Sequence, residues 1–353
     1  KWESRRGASV PAGSRLMQAW NGRIVHGDGT DPYSWIMSAI GDHTDYDLSP
    51  TIPTAIQAVS STLVEGNTQS NDVLTAIIPI TDDLLIFGGR STISRLTGDP
   101  LAGGVLDSIT RGMGIAHGSA WTHMPDGSVI VFTNPAGVWR ISGGGTRLED
   151  LSKNRIEADL ETIDQSKYRI KLTYSRALRG LCVIPVPLDL DMEFDGRWWF
   201  MDEAGAWWPM RWADRTVQPT SVSDGRANRD PLFGCFDGAV RTLSGDATDD
   251  GYEYPWFWII GPFWDRQWGK LQRWSRPFLR FSADGPVEWY AYASSGPLQI
   301  GLPDSSGSWA PGEVRPAGGK WKGKAFWLEI RGFGVHASIE HATINQHQAG
   351  RTK

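Results

Sequence analysis

The feature that most constrains this chain is a strand–turn–strand unit that recurs along its first 250 residues. It is read in NGRIVHGDGTDPYSWIMSAIGDHTDYD (21–47), DDLLIFGGRSTISRLTGDP (82–100) and DGSVIVFTNPAGVWRISGGG (126–145). It returns in DGRWWFMDEAGAWWPMRWADRT (195–216) and PLFGCFDGAVRTLSGDATDDG (231–251). Short apolar runs with period two signal strands that bury one face. The Asp-Gly, Asn-Pro, Gly-Gly and Ala-Gly pairs between them are the chemistry of tight hairpins. Further strands are expected at 73–80, 119–124, 169–175 and 178–186. One hairpin cannot bury its apolar face alone, so the units must stack. The expected fold is mostly β: propeller-like antiparallel hairpin blades, each unit the inner hairpin of one blade, with a β-rich C-terminal region and one or two short helices. A sandwich or mixed meander is the competing architecture.

Two regions follow from the change of pattern. Residues 1–250 form the propeller-like body, and residues 251–353 form a Trp-rich β region, either a small sandwich or a closing blade. The helix is expected at 148–166, where Leu151, Ile156, Leu160 and Ile163 return on one face among charges. An amphipathic stripe in an all-β chain needs a partner, so it is expected between blades or against a neighbour. A second short helix is expected near 53–63.

Composition then excludes classes of function. At 40% hydrophobic and 21% charged residues the chain is too apolar for disorder, and its 2 cysteines rule out a disulfide scaffold. Cys182 and Cys235 lie in apolar runs, read as buried thiols in a reducing compartment. No apolar run reaches the ~20 residues of a membrane-spanning helix. The opening KWESRRGASV lacks both a methionine and a leader's apolar segment, pointing to processing, truncation or renumbering. The net charge of −5 is the wrong sign for gripping a phosphate backbone, so duplex DNA is expected only as passing cargo.

Catalytic motifs are missing. There is no nucleophile elbow, phosphate loop, dinucleotide fingerprint or HExxH pair, and ISGGGTR (141–147) reads as a hairpin exit. The acidic runs at Asp189, Asp191, Glu193 and Asp195 and at Asp246, Asp249, Asp250 and Glu253 lack the spacing of a calcium loop and read as solvated turns. The scattered histidines form no metal set. FSADGPVEW (281–289) nearly matches the structural Asp-box hairpin of sialidases, its glycine one position early. No catalytic, cofactor or metal residues are therefore expected.

Tryptophan carries the strongest functional hint, with 19 Trp against 12 Phe and 8 Tyr. Paired and alternating rings point to both faces of a strand, so some must meet another layer, another subunit or a sugar. Basic residues interleave with them between 256 and 280. The expected subunit or partner interface comprises Trp256, Trp258, Trp264, Trp268, Arg273, Trp274 and Arg276, since Trp and Arg are favoured interface anchors.

The order of features resembles a known family. NGRIVHGDGTDPYSWIMSAIGDHTDYD, then ITDDLLIFGGRSTISRLTGDP, GMGIAHGSAW, DGSVIVFTNPAGVWRISGGG and LEDLSKNRIEADLETID follow the order seen in β-propeller tail nozzle or hub proteins of short-tailed bacteriophages. The resemblance covers roughly residues 20 to 250 and rests on order more than on any single motif. It implies a ring-forming, non-enzymatic virion protein assembled in the host cytoplasm, hexameric by preference. Its partners would be an adaptor above and fibres or spikes at its side, with DNA leaving through the ring. The rival expectation is a carbohydrate-binding or glycan-cleaving β-propeller.

Overall fold

The computed structural model describes residues 13–27, 29–49, 54–62, 72–189, 195–212, 214–223, 230–243, 248–249, 252–253, 255–264, 272–274, 278–294, 303–310, 315–316, 321–333, 335, 337–343 and 346–348. The chain divides into two compact units, Lys1–Ser244 and Gly245–Lys353.

The first unit is a series of antiparallel meanders. The first sheet is β1 (Met17–Trp20), β2 (Arg23–Gly27), β3 (Ser34–Met37) and β4 (Val59–Thr62), and the second is β5 (Leu74–Thr81), β6 (Leu84–Gly89), β7 (Thr92–Thr97) and β8 (Val105–Arg111). The third contains β9 (Gly114–Ile115), β10 (Trp121–His123), β11 (Val129–Asn134), β12 (Gly137–Ile141) and β13 (Leu148–Asp150). The fourth is β14 (Tyr168–Ser175), β15 (Gly180–Pro187), β16 (Arg197–Asp202) and β17 (Trp207–Arg211). The fifth has β18 (Pro219–Val222), β19 (Leu232–Cys235) and β20 (Val240–Thr242). In every sheet the main path follows chain order. This is the plan of propeller-like blades.

Strand alternation explains how the sheets stack. Along β11, Val129 and Val131 pack toward the second sheet while Ile130 and Phe132 pack toward the fourth. Along β15, Leu181 and Val183 face the third sheet, and Cys182, Ile184 and Val186 face the fifth. Near-continuous apolar runs mark strands covered on both sides. Polar ties cross the same seams. Buried Arg23 on β2 donates to Asp99 of the second sheet at 3.0 Å and to the carbonyls of Ser38 and Gln57. Thr75 Oγ1 donates to the Ile115 carbonyl at 2.7 Å, and Lys171 Nζ to that of Gly118 at 2.8 Å. Gly88 on β6 is required by closeness: a Cβ there would meet Ile115 Cδ1 at 2.7 Å.

Three expectations are corrected. The helix at 148–166 shrinks to α1 (Glu157–Glu161), and Leu148–Asp150 is the edge strand β13. The Asp150 carboxylate accepts from the Ser152 and Lys153 amides, both at 2.9 Å, which turns the chain before a helix can begin. The stripe nevertheless packs between blades: Ile156 and Leu160 are buried with residues of the third and fourth sheets, and Leu151 and Ile163 pack beside them. The helix near 53–63 is instead a turn followed by β4, its flanks lying outside the described residues. Finally, the unit at 195–216 is the third and fourth strands of its sheet, whereas the others supply the second and third.

The second unit pairs strands distant in sequence. It begins with a short ladder of β21 (Thr248–Asp249) and β22 (Tyr252–Glu253). There follow β23 (Pro255–Trp264), β24 (Gln272–Trp274), β25 (Phe278–Ala283), β26 (Val287–Ser294) and β27 (Ser305–Trp309). The chain ends with β28 (Arg315–Pro316), β29 (Trp321–Gly323), β30 (Ala325–Phe333), β31 (Ala337–Thr343) and β32 (Gln346–Gln348). One layer has the order β23-β30-β26-β27, and the other is built from β29-β24-β32 and β28-β25-β31. Trp274, Trp289, Trp309, Trp321, Phe326, Leu328 and Ile330 fill the core between them. The near Asp-box is no hairpin, because β25 and β26 belong to different sheets.

Candidate functional site

Most described tryptophans turn inward rather than outward. Trp198 and Trp199 are each 3% exposed because neighbouring sheets cover both faces of β16. Of the alternatives open for these paired rings, a second layer of the same chain takes Trp198 and Trp199; Trp208, 40% exposed, stays outside. Trp274 is 2% exposed and stacks near Phe326, so its ring has no surface to offer a partner. Trp256 is half-buried and donates its indole N–H to the Val335 carbonyl at 2.7 Å; Trp258 lies beside it at 4.8 Å between centroids. Trp268 and Arg276 lie outside the described residues, as do the side chains of Trp264 and Arg273.

The outward face of the β23-β30-β26-β27 layer carries the most developed polar arrangement. Alternation puts Phe326, Leu328 and Ile330 into the core and Trp327, Glu329, Arg331 and Phe333 on the opposite face. Pairing aligns Phe257, Arg331, Glu288 and Ser308 in one row across all four strands. Glu329 is buried, accepting from Arg331 Nε at 2.5 Å and from the Tyr292 hydroxyl at 2.5 Å. The Arg331 guanidinium carbon sits 4.5 Å from the Tyr290 ring centroid, and the Tyr290 hydroxyl donates to Glu288 at 2.7 Å. Burial works to raise the Glu329 carboxyl, but the bonds from Arg331 and Tyr292 outweigh it and hold it below the usual range. Burial, then the Glu329 bond and charge, push Tyr292 up to about 12.

A groove of about 720 Å³ lies along this row, lined by Pro255, Phe257, Glu288, Ser308, Arg331 and Phe333 among others. Gly332 is a close-approach position beneath it. A Cβ there would fall 2.3 Å from the Trp256 ring, so glycine lets the indole lie flat across β30. Of these residues the sequence marks only Trp256. The available signal was Glu-x-Arg in KAFWLEIRGF, two charges at strand spacing inside an apolar run.

The first unit offers a different surface. On β2, Val25 faces the second sheet and His26 faces away, covered by the unit's own loop through a 2.7 Å bond with Tyr46. Burial lowers His26 and pushes Tyr46 up to about 12. At the other end of the series, Phe233 and Cys235 face the fourth sheet while Leu232 and Val240 point away, 50% and 68% exposed. The far side of the first sheet is therefore covered at His26 but leaves Met17, its partner across the strands, 55% exposed, and the far side of the fifth shows Leu232 and Val240.

Among the described residues no group of three or more His, Cys, Asp and Glu is placed to hold a metal ion. Asp191, Glu193, Asp246 and Asp250 lie outside those residues, while Asp195 is an exposed partner of Arg197. Cys182 and Cys235 are buried and in no disulfide, and burial raises Cys182 further from its reactive form. The GGG segment is a hairpin exit as expected, with the Ser142 amide donating to the Arg147 carbonyl. Among the described residues no helix is long and apolar enough to cross a membrane.

Comparison with known proteins adds distant likenesses. No family model and no curated protein matches the sequence. Among solved structures, BBS1N in complex with ARL6DN is similar over 67% of this chain, which spans 65% of that one, at 12% identity and TM-score 0.39. A catalytically inactive virginiamycin B lyase from Staphylococcus aureus is similar over 67% of this chain and 86% of its own, at 10% identity and TM-score 0.33. A protein of unknown function from Bacteroides thetaiotaomicron reaches 93% and 72%, at 10% identity and TM-score 0.40. At such identities and scores these likenesses bear on neither identity nor activity.

Proposed function

We propose that this chain is a non-catalytic structural protein of a short-tailed phage tail, a ring-forming nozzle or hub. The observation that carries the ring is the unfinished series of sheets. Stacked repeats bury each apolar face against a neighbour and need caps at their ends. Here both ends leave apolar side chains exposed: Met17 beside loop-covered His26 at one, Leu232 and Val240 at the other. Two unlike ends favour a head-to-tail contact between copies, and head-to-tail contacts close into rings when the rotation allows. The order of blade motifs supports the tail assignment. In this reading an adaptor and fibres or spikes are the neighbours, the virion is the location, and the acidic chain lets DNA pass without holding it.

Negative-stain imaging of the purified full chain tests the reading. Rings with a central opening are the expected result. Isolated single copies at every concentration, or turnover of a polysaccharide abolished by Asp189→Ala, would overturn it.

A further inference from the structure

The groove on the second unit was not needed for ring formation, and its chemistry is specific. We propose that it binds a neutral oligosaccharide, through the row Phe257–Arg331–Glu288–Ser308 with Phe333 beside it. Glu288 and Arg331 face each other across the strands, yet form no ion pair. Glu329 and the Tyr290 ring hold the guanidinium instead, so its Nη groups have no partner among the described residues. One oxygen of Glu288 and the Ser308 hydroxyl are likewise unpartnered there. The row thus presents a fixed donor, a fixed acceptor and a group that does both, side by side.

A ligand must match that set with atoms at short spacing. Vicinal hydroxyls of a sugar ring do so, because each hydroxyl donates and accepts, and bonds to charged groups are the stronger kind. Phe257 and Phe333, 62% and 60% exposed, flank the row and offer ring faces to the C–H side of a sugar. Charge selects against anions, which meet two carboxylates, Glu288 and Glu329, against the single Arg331. The volume of about 720 Å³ falls within the range of roughly 300–1,000 Å³ typical of ligand clefts. Glu329 is not a contact in this scheme; it positions Arg331 from below.

Calorimetric titration of the full chain with cellohexaose, chitohexaose, maltohexaose and laminarihexaose tests this, with an oligogalacturonate as the anionic control. At least one neutral hexasaccharide is expected to bind with Kd between about 10 μM and 1 mM, at least tenfold tighter than the anion. Phe257→Ala, Glu288→Ala and Ser308→Ala, all at exposed positions, should leave the melting temperature unchanged. The first two should weaken binding about tenfold or more, and the third about threefold. Arg331→Lys keeps the charge but not the fork and should also lose about tenfold. Absence of binding to all four neutral probes, stronger binding of the anion, or binding indifferent to Glu288→Ala and Phe257→Ala would each overturn the proposal. Ring formation by the same preparation is scored separately, so either idea can fail alone.

Discussion

The two units solve the burial of apolar strands in different ways. In the first, a sheet is buried on both faces by the sheets before and after it in sequence, as Trp198 and Trp199 on opposite faces of β16 show. In the second, strands far apart in sequence form two layers around one core, and an outward face carries buried Glu329 under exposed Arg331 and Glu288. Serial stacking gives regularity but leaves an end to cover. Layering leaves a face free for specific chemistry.

The largest expected effect breaks the serial packing. Ile156→Asp with Leu160→Asp puts two unpaired charges between the third and fourth sheets and should cost more than about 4 kcal/mol, giving insoluble protein. Glu157→Lys with Asp159→Lys, on the exposed side of the same turn, should be nearly neutral. Equal tolerance of both pairs in a solubility and melting assay would show that the stripe is not buried. Next come single core truncations, one per unit. Phe132→Ala and Trp274→Ala should each cost about 3–5 kcal/mol. Hydrogen exchange separates them: the first should speed exchange in β11, β14 and β15, the second in β24, β29 and β30. Protection lost evenly across the first unit would contradict sheet-by-sheet stacking.

Acid sharpens the contrast. Burial lowers both His26 and His117, the latter also beside Arg169, Arg15 and Lys171. Both stay neutral in the fold while the unfolded chain takes up protons below about pH 6.5, so their stabilisation is present above that pH and lost as pH falls. In the second unit Glu329 is held below its usual value of 4.5, so its contribution is complete above that pH and lost only on further acidification. Exchange protection should therefore weaken first around His26 and His117, and His26→Gln should flatten that onset. The smallest effect is at Trp208, 40% exposed on β17, where Trp208→Ala should stay within about 0.5 kcal/mol in a denaturant melt.

Legibility in the sequence followed the same divide. The central strands of the first unit, such as VIVFTN and GLCVIPV, were readable because burial on both faces leaves unbroken apolar runs. The first-unit strands that the sequence does not mark, β1, β4, β8, β9, β13 and β18, each pair along one side only. Edge strands meet solvent along one side and carry polar residues, as in VLDSITR and VSST, so alternation fades. Leu148–Asp150 reads as helix in the sequence because a stripe that packs as a turn and one short helix has nearly helical spacing. The groove was not readable at all. Its row draws one residue from each of four strands between positions 257 and 331, and only the register brings them together. Residue type, the sole signal for a Trp and Arg interface, does not separate buried Trp274 from a surface ring.

The central claim, that the uncovered fifth sheet joins copies of this chain into a ring, is tested most directly by mass photometry. The full chain, 39.0 kDa per copy, should give one species at a fixed multiple of that mass, and Val240→Asp with Leu232→Asp should return it to a single copy whose far-UV circular dichroism is unchanged. A monomer from the native chain at all concentrations, or an oligomer indifferent to both substitutions, would contradict the account.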